Sequence, residues 1–201
     1  HLDKGYKPVH WCCDCGSSLA EAEVEYQDKT SDAIDVAFAV VGDSLLGENA
    51  HVVIWTTTPW TMPGNRALAC GNDIEYVVIK IDSITEASHA KCGNVIVLAA
   101  ALLDTVRGAI GISEHTVLHT LSGAECVGSI AAHPLAANGY DHEVPLFHAD
   151  YVTTDQGTGF VHIAPGHGVE DYELAHLQHG VPVPDTVAED GRIMEHLPLF
   201  A

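Results

Sequence analysis

Three consecutive threonines lead into a proline-rich turn in the segment WTTTPWTMPGNRA, residues 55–67. Thr58 precedes Pro59, which favours an extended backbone at Thr58, and neither Pro59 nor Pro63 has a backbone N–H. A strand that enters this segment must therefore stop there. Backbone groups and hydroxyls then become free to face a ligand at Thr56, Thr57 and Thr58. Because threonine is also a good strand residue, three strand threonines on a solvated face are the alternative that this segment alone leaves open.

A second segment that could carry chemistry is GTGFVHIAPGHGVEDY, residues 157–172. Its pattern predicts a short strand after Gly159, a turn at a Pro-Gly pair, and then a helix. Glu170 and Asp171 fall in the first helical turn, where the helix dipole favours ionised carboxylates. We expect Asp171 to be suited to holding an ammonium group and Glu170 to act only as a helix-terminal acid. The alternative is that both acids cap the helix and that His162 is a half-buried strand histidine.

The 14 histidines of the chain raise the question of a metal site. His162, His167 and Asp171 are spaced five and four residues apart, and a metal-dependent hydrolase that uses them is one alternative function. His115 and His119 are four apart, but they lack the glutamate of an HExxH motif and their segment predicts a strand. Since neither spacing matches that motif, we expect these histidines not to bind a metal.

The cysteines do not form the pattern of a disulfide framework. Cys12, Cys13 and Cys15 are crowded together, whereas the other three cysteines are isolated from one another. Free thiols in a reducing compartment are therefore expected, and with them a cytoplasmic location. Cys12-x-x-Cys15, followed by Gly16, has the spacing of half a zinc knuckle, but four-coordinate zinc needs a second pair of ligands. We expect no complete metal site in this chain.

The elements that must position these segments are mostly short strands. Alternating or β-branched apolar runs predict strands at 22–26, 34–41, 51–58, 76–82, 94–98 and 115–120. Apolar spacing and stop signals predict helices at 99–110 and 169–178, and 185–192 is typical of a polar connector. A length of 201 residues favours one compact domain with at most a small appendage. We expect an α+β domain built on a mixed sheet that is closed or strongly curved.

Charge and hydropathy exclude several classes of function. Eight Lys and Arg stand against 28 Asp and Glu, a formal net charge of −20, which disfavours non-specific nucleic-acid binding and attachment to anionic membranes. The longest apolar run, 95–103, is far shorter than the ~20 residues that cross a bilayer. No secretory signal is expected, and a first residue other than Met suggests a fragment of a longer protein.

Three segments together resemble the editing insertion, connective polypeptide 1, of a bacterial-type isoleucyl-tRNA synthetase. They are KPVHWCCDCGSSLAEAEVEY (7–26), VIWTTTPWTMPGNRALA (53–69) and DQGTGFVHIAPGHGVEDY (155–172). The resemblance implies a β-barrel-like α+β editing domain of the valyl, isoleucyl and leucyl type, a mixed curved sheet with a few peripheral helices. It divides the chain into half a zinc ribbon with a connecting strand region at 1–20 and an editing domain at 21–201. No HIGH-like or KMSKS-like signature is present, so the ATP-binding ligase core would lie elsewhere in a full-length enzyme.

The resemblance implies post-transfer editing, the hydrolysis of the ester of Val-tRNA(Ile). A pocket that selects by one methylene discriminates too little, a limit for which isoleucyl enzymes are the usual example, so a second and smaller site removes the error. A non-catalytic β-rich interaction module is a further alternative. No cofactor is expected for editing, and zinc belongs only to the full-length enzyme. The expected partners are the 3′ end of mischarged tRNA(Ile) and the rest of the synthetase, with no membrane and a monomeric state.

Roles for individual residues follow from the same resemblance. Asp171 would bind the α-ammonium of the amino acid, and His162 would line its pocket and exclude isoleucine. The three threonines would hold the ester and position the attacking water, since an activated ester needs orientation more than a strong base. Asn65 would contact the terminal adenosine. The remaining substrate-binding residues implied are Trp60, Gly166 and His167.

Overall fold

The computed structural model describes residues 8–200, so residues 1–7 of the predicted 1–20 unit lie outside the described part. Its strands are β1 (His10–Cys12), β2 (Ser17–Leu19), β3 (Ile34–Val41), β4 (Ala50–Thr56), β5 (Ala67–Cys70), β6 (Glu75–Ile84), β7 (Val95–Ala99), β8 (Ile112–Ser122), β9 (Ile130–Ala132), β10 (Glu143–His148) and β11 (Phe160–Ile163). Its α-helices are α1 (Leu103–Ile110), α2 (Gly123–Cys126) and α3 (Val169–Asp171), and α3 continues as a π-helix over Tyr172–Gln178. Short 3₁₀ turns lie at Glu21–Glu23, Pro59–Gly64, Ala100–Leu102 and Ala136–Asn138.

Nine strands form one mixed sheet in the order β11-β5-β10-β9-β3-β4-β7-β6-β8. The pairs β10/β5 and β4/β7 are parallel, and the other pairs are antiparallel. The order has two ends, β11 and β8, so the sheet is not closed by hydrogen bonds. Of the two predicted forms the closed barrel is therefore wrong.

Strong curvature is confirmed, because β11 at one end of the order packs against β4. Tyr76 of β6 fixes this approach, since its hydroxyl donates a 2.6 Å hydrogen bond to the Gly159 carbonyl and its ring contacts Phe160 at 4.4 Å. The Ala99 N–H also donates to the Thr158 carbonyl at 2.8 Å. The sheet thus folds back over its own apolar face and brings the end of β4 beside β11.

A second, smaller apolar cluster anchors the helix that follows β11. Alternate residues of β5 face it, and Leu174 and Ala175 of the π-helix pack there at 4% and 0% exposure. The other buried members are Ala67, Ala69, Ala149, Val152 and Ile163. This contact holds the start of α3 next to the ends of β11 and β5.

Most predicted elements are present, with changes at their ends. The predicted helix at 99–110 begins later, because Ala99 belongs to β7 and a 3₁₀ turn precedes α1. The predicted strand at 22–26 is wrong: Glu21–Glu23 forms an exposed 3₁₀ turn in which the Ala20 N–H donates to the Glu23 carboxylate at 2.7 Å. The Glu23 carboxylate therefore caps a turn instead of lying on the wet face of a strand. The connector at 185–192 is confirmed except for an isolated bridge between Val187 and Ile193.

The cysteine-rich segment forms a small hairpin, β1 and β2, separate from the main sheet. Its turn is closed by the Cys15 N–H, which donates to the Cys12 sulfur at 3.3 Å, and by Gly16 in a left-handed conformation at φ 61°. The Trp11 indole N–H donates to the Glu189 carbonyl at 2.8 Å and ties the hairpin to the late connector. In residues 8–200 no helix has the length and apolar character needed to cross a membrane.

Candidate functional site

One cavity of about 290 Å³ lies where the end of β4 meets β11 and the start of α3. It brings together the two segments that the sequence singled out, although they are about a hundred residues apart in the chain. Its lining residues are Trp55, Thr56, Thr57, Thr58, Trp60, Thr61, Val161, His162, Ala164, His167 and Asp171.

The threonine segment forms one wall of this cavity because β4 stops at Thr56. The Thr56 hydroxyl accepts a hydrogen bond from the Thr58 N–H at 3.1 Å, and Pro59–Gly64 then forms a 3₁₀ turn. Thr56 is buried and its hydroxyl also lies 3.2 Å from the Thr58 hydroxyl, so the expectation that all three hydroxyls are free is wrong for this pair. Thr57 and Thr58 are exposed at the cavity.

A buried histidine supports this turn from behind. The ring of His133 is 2% exposed, and its Nε2 lies 2.9 Å from the Met62 carbonyl within the 3₁₀ turn. Tyr140 stacks on that ring at 5.0 Å. Burial lowers the pKa of His133 to about 4, so the ring is neutral and can donate from Nε2 to the carbonyl. This support was missed in the sequence, where nothing links residue 133 to the threonine segment.

His162 forms the floor of the cavity and is 9% exposed. Its Nδ1 lies 2.7 Å from the Asn65 amide nitrogen, and its Nε2 lies 2.9 Å from the Thr61 hydroxyl. Burial lowers the pKa of His162 to about 4, and the neighbouring His133 and His167 act in the same direction. At neutral pH the ring is therefore uncharged, with both nitrogens already hydrogen-bonded.

Asp171 presents the only carboxylate among the residues that line this cavity in the described chain. Its Oδ2 accepts a 2.8 Å hydrogen bond from the Ala164 N–H. Gly168 leaves the space that this carboxylate occupies, since a Cβ there would lie 3.1 Å from its Cγ. Burial raises the pKa of Asp171 to about 6; the Ala164 bond opposes that shift and the charge of Glu170 adds to it. Burial thus raises the pKa of Asp171, although the sequence predicted that the helix dipole would favour the ionised form. Glu170 is exposed and does not line the cavity.

Trp60 and His167 form a wall between this cavity and a second, larger one of about 830 Å³. Their rings meet edge to face at 5.1 Å. His167 Nε2 lies 2.6 Å from the Thr186 hydroxyl, and burial lowers its pKa. Gly166 lines only the second cavity, which it shares with Trp60 and His167 but not with His162.

Asn65 is fully buried, at 0% exposure, and does not line the cavity. Its amide nitrogen donates to the Ala67 carbonyl at 2.9 Å and lies 3.4 Å from the Ile163 carbonyl. The expectation that Asn65 contacts an adenosine directly does not fit this position, because no surface of the side chain is accessible. Thr61, by contrast, lines the cavity but was not among the predicted site residues. Its position three residues after Thr58, in the same turn, could have indicated it.

The predicted metal alternatives find no support in the donor geometry. Within residues 8–200, no group of three or more His, Cys, Asp and Glu side chains is arranged to hold a metal ion. His162 shares the cavity with Asp171, but its nitrogens are engaged by Asn65 and Thr61. In the turn from Cys12 to Gly16, the Cys15 N–H donates to the Cys12 sulfur at 3.3 Å and the Gly16 N–H donates to the Cys12 carbonyl at 2.9 Å.

Comparison with solved structures places this fold among editing domains of aminoacyl-tRNA synthetases. The editing domain of the cytosolic leucyl-tRNA synthetase of P. knowlesi is similar with a TM-score of 0.55 at 13% identity, covering 74% of this chain and 64% of that one. The crystal structure of GlLeuRS-CP1 gives a TM-score of 0.58 at 15% identity, covering 75% and 63%. At these identities the likeness concerns the fold.

Sequence comparison gives the family. A family model described as the editing domain of leucyl-tRNA synthetase matches residues 45–197, and the chain belongs to this family. Curated relatives over the whole chain are the isoleucine--tRNA ligases of Gluconobacter oxydans, 44% identical over 205 residues, and Methylococcus capsulatus, 46% identical over 213 residues. The resemblance stated from the motifs is thereby confirmed. The chain spans 21% of the length of these relatives.

Proposed function

We propose that this chain carries out post-transfer editing, the hydrolysis of the ester that joins valine to the terminal adenosine of mischarged tRNA(Ile). The observation that carries the proposal is a single cavity lined by the Asp171 carboxylate, the neutral His162 ring and the hydroxyls of Thr57 and Thr58. Each of these groups matches one part of an aminoacyl ester. Similarity to isoleucine--tRNA ligases extends over the whole of this chain, and it favours isoleucine tRNA as the carrier.

Asp171 is the group that binds the α-ammonium of the substrate. Only its Oδ2 has a hydrogen-bond partner among the described residues, and its Oδ1 is not sealed from solvent. A carboxylate in this buried position is stabilised strongly by a cation at contact distance. Because the pKa of Asp171 is about 6 in the empty site, the carboxyl is mostly ionised at neutral pH and becomes more so when the ammonium binds.

His162 sets the size of the amino-acid pocket. Its ring is neutral and hydrogen-bonded at both nitrogens, so it offers the substrate an apolar surface and no free acceptor or donor. A fixed ring at the floor of a cavity of about 290 Å³ admits valine and clashes with the additional methylene of isoleucine. The side chains around a close-packed pocket cannot move apart to admit one more methylene without a cost in free energy.

Thr57 and Thr58 lie exposed at the cavity and are placed to orient the ester and one water molecule. The water oxygen bonds to the carbonyl carbon, the bond from that carbon to the ribose oxygen breaks, and the ribose oxygen takes up the proton that the water loses. The products are free valine and tRNA with an intact 3′ end. An aminoacyl ester is already activated, so orientation can supply much of the rate without a strong base.

The remaining assignments concern partners and cofactors. Editing requires no cofactor in this proposal, and the 3′ end of tRNA(Ile) and the rest of the synthetase are its partners, in a cytoplasmic monomer. The Cys12 and Cys15 hairpin fits half of a structural zinc site, because two cysteines separated by two residues lie on one tight turn. Zinc bound there by a second cysteine pair from outside this chain would only stabilise the hairpin.

The test compares deacylation of Val-tRNA(Ile) and Ile-tRNA(Ile) by the chain at high protein concentration. We expect faster release of valine. The Thr116→Val variant provides a control, because Thr116 does not line the cavity: it lies on the exposed strand β8, where its hydroxyl donates to Asp82 of β6. Equal rates for both substrates would refute the size-selective site. Activity that is lost on chelation and restored by a metal would favour the metal-dependent hydrolase instead.

A further inference from the structure

A continuous chain of hydrogen bonds runs behind the cavity floor and ends at a backbone carbonyl on each side. At one end the Asn65 amide nitrogen contacts the Ala67 carbonyl at 2.9 Å. The chain passes from Asn65 to His162 at 2.7 Å and from His162 to Thr61 at 2.9 Å. At the other end the Thr61 hydroxyl lies 2.8 Å from the Thr58 carbonyl.

Backbone carbonyls can only accept hydrogen bonds, so the two ends determine every proton between them. The atom of Asn65 beside the Ala67 carbonyl must be the NH₂ group, whose second hydrogen points to His162 Nδ1. Nδ1 must therefore be an unprotonated acceptor. At the far end the Thr61 hydroxyl must donate to the Thr58 carbonyl, so its oxygen is left to accept a hydrogen bond from His162 Nε2–H.

We propose that Asn65 and Thr61 are positioning residues that hold His162 as the neutral Nε2–H tautomer and fix its ring as the size-selecting wall of the pocket. The tautomer follows from the hydrogen bonds alone, whereas its role in selectivity rests on the proposed function. The alternative arrangement is repulsive: turning the Asn65 amide over would place its oxygen 2.9 Å from the Ala67 carbonyl oxygen and 3.4 Å from the Ile163 carbonyl oxygen. Protonating His162 at Nδ1 would place a donor against the NH₂ donor of Asn65.

Asparagine at position 65 is explained by this role. Its Oδ1 is buried without a hydrogen-bond partner, a costly condition that a residue with only a packing role would not need. An aspartate there would supply a buried acceptor instead of a donor to Nδ1, and would favour His162 as the Nδ1–H form or the imidazolium. The other titratable groups around the ring are His133 and His167, whose charges oppose its protonation, and the Asp171 carboxylate, which lines the same cavity and is bonded to the Ala164 N–H.

The first test needs no substrate and uses a variant only to assign the spectrum. Two-dimensional ¹⁵N–¹H spectra of histidine-labelled chain distinguish the two ring nitrogens of each tautomer, and the His162→Gln variant assigns the signals. We expect the Nε2–H form for His162 at pH 7 and at about pH 5.5. An Nδ1–H form, an even mixture of tautomers, or an imidazolium at pH 5.5 would overturn the proposal.

The second test changes one hydrogen bond of this series at a time. Thr61→Val keeps the shape of the side chain but removes the acceptor of Nε2–H, and Thr61→Ser keeps that acceptor. We expect Thr61→Val to lose the single tautomer and to lower the ratio of Val-tRNA(Ile) to Ile-tRNA(Ile) deacylation by about tenfold, which corresponds to about 1.4 kcal/mol. Thr61→Ser should restore both readings, and the matched control Thr116→Val should change neither.

The outcomes separate this inference from the proposed function. A wild-type chain that shows the Nε2–H tautomer but does not prefer valine would refute the editing role and leave the positioning roles of Asn65 and Thr61 intact. A chain that prefers valine while His162 is the Nδ1–H form would refute the positioning roles alone. If Asn65→Asp folds, it should raise the pKa of His162, and an unchanged titration of that ring would also contradict the proposal.

Discussion

Replacing Asp171 by Asn should make the chain more stable at neutral pH while it abolishes editing. Burial is the main reason that the pKa of this carboxyl is about 6 instead of 3.8. Because each pKa unit is worth about 1.36 kcal/mol, the ionised carboxylate costs the folded chain about 3 kcal/mol at most. Asn keeps an oxygen that can accept the Ala164 N–H bond and carries no charge, so it avoids this cost.

The pH dependence of the gain follows from the direction of the shift. The folded chain holds the Asp171 proton more tightly than the unfolded chain, so this group favours folding below about pH 4, and that contribution is lost as the pH rises through about 6. Asp171→Asn should therefore match the wild type in free energy of unfolding near pH 4 and exceed it by up to about 3 kcal/mol above pH 7. Urea unfolding of both proteins at a series of pH values measures the difference.

Glu170→Gln is the matched control, because it removes the neighbouring exposed carboxylate and leaves the buried one. Since burial is the larger cause of the Asp171 shift and the Glu170 charge only a smaller one, this variant should recover only a small part of the gain. A difference between Asp171→Asn and wild type that does not depend on pH would refute the reasoning. So would a variant that is less stable than the wild type at pH 8.

Three further predictions concern selectivity, packing and binding. His162→Ala should open space for one more methylene, worth roughly 0.8 kcal/mol on burial, and so raise hydrolysis of Ile-tRNA(Ile) relative to Val-tRNA(Ile); a parallel fall in both rates would contradict the size-selecting role. Gly123→Ala should destabilise the chain by about 3 kcal/mol or more in urea unfolding, because a Cβ there would lie 1.8 Å from the Gly71 carbonyl oxygen, and wild-type stability would refute this. The net charge of −20 predicts weak binding of tRNA that carries no amino acid, and a tight complex in a filter-binding assay at physiological salt would contradict it.

The sequence predicts the strands of the sheet better than their arrangement. Runs such as Ile34–Val41 are recognisable because their β-branched and aromatic residues recur along an element with few alternatives. The alternation at 22–26 also has the period of two that is typical of a strand, yet the segment begins in a 3₁₀ turn that the Glu23 carboxylate caps. A period of two identifies a surface with two faces only if a partner strand is available. Neither the parallel pairing of β4 with β7 nor the return of β11 onto β4 has a local signal, since both depend on contacts between distant residues.

The site shows the same division between local and distant information. The family resemblance carried by the two motifs predicts one site for the threonines, His162 and Asp171, and one cavity is lined by them all. The sequence could not show that the Thr56 hydroxyl is used in a turn or that Asn65 is completely enclosed. A threonine or an asparagine is the same in the sequence whether its polar atoms are buried or accessible. Only the packing of β11 against the threonine segment decides which of these atoms a ligand can reach.

The polar groups of this cavity differ in how fully they are satisfied before a ligand arrives. His162 has a partner at each nitrogen and can therefore serve only as a surface. Asp171 has one partner at one oxygen, and its raised pKa records the cost of leaving the charge incompletely solvated. A ligand with an α-ammonium relieves that cost, whereas an N-acylated aminoacyl ester of the same size would leave the carboxylate uncompensated and add an unpaired amide. The stability that Asp171 costs the fold is thus returned by a ligand with a free α-ammonium, the group that the substrate of the proposed reaction carries.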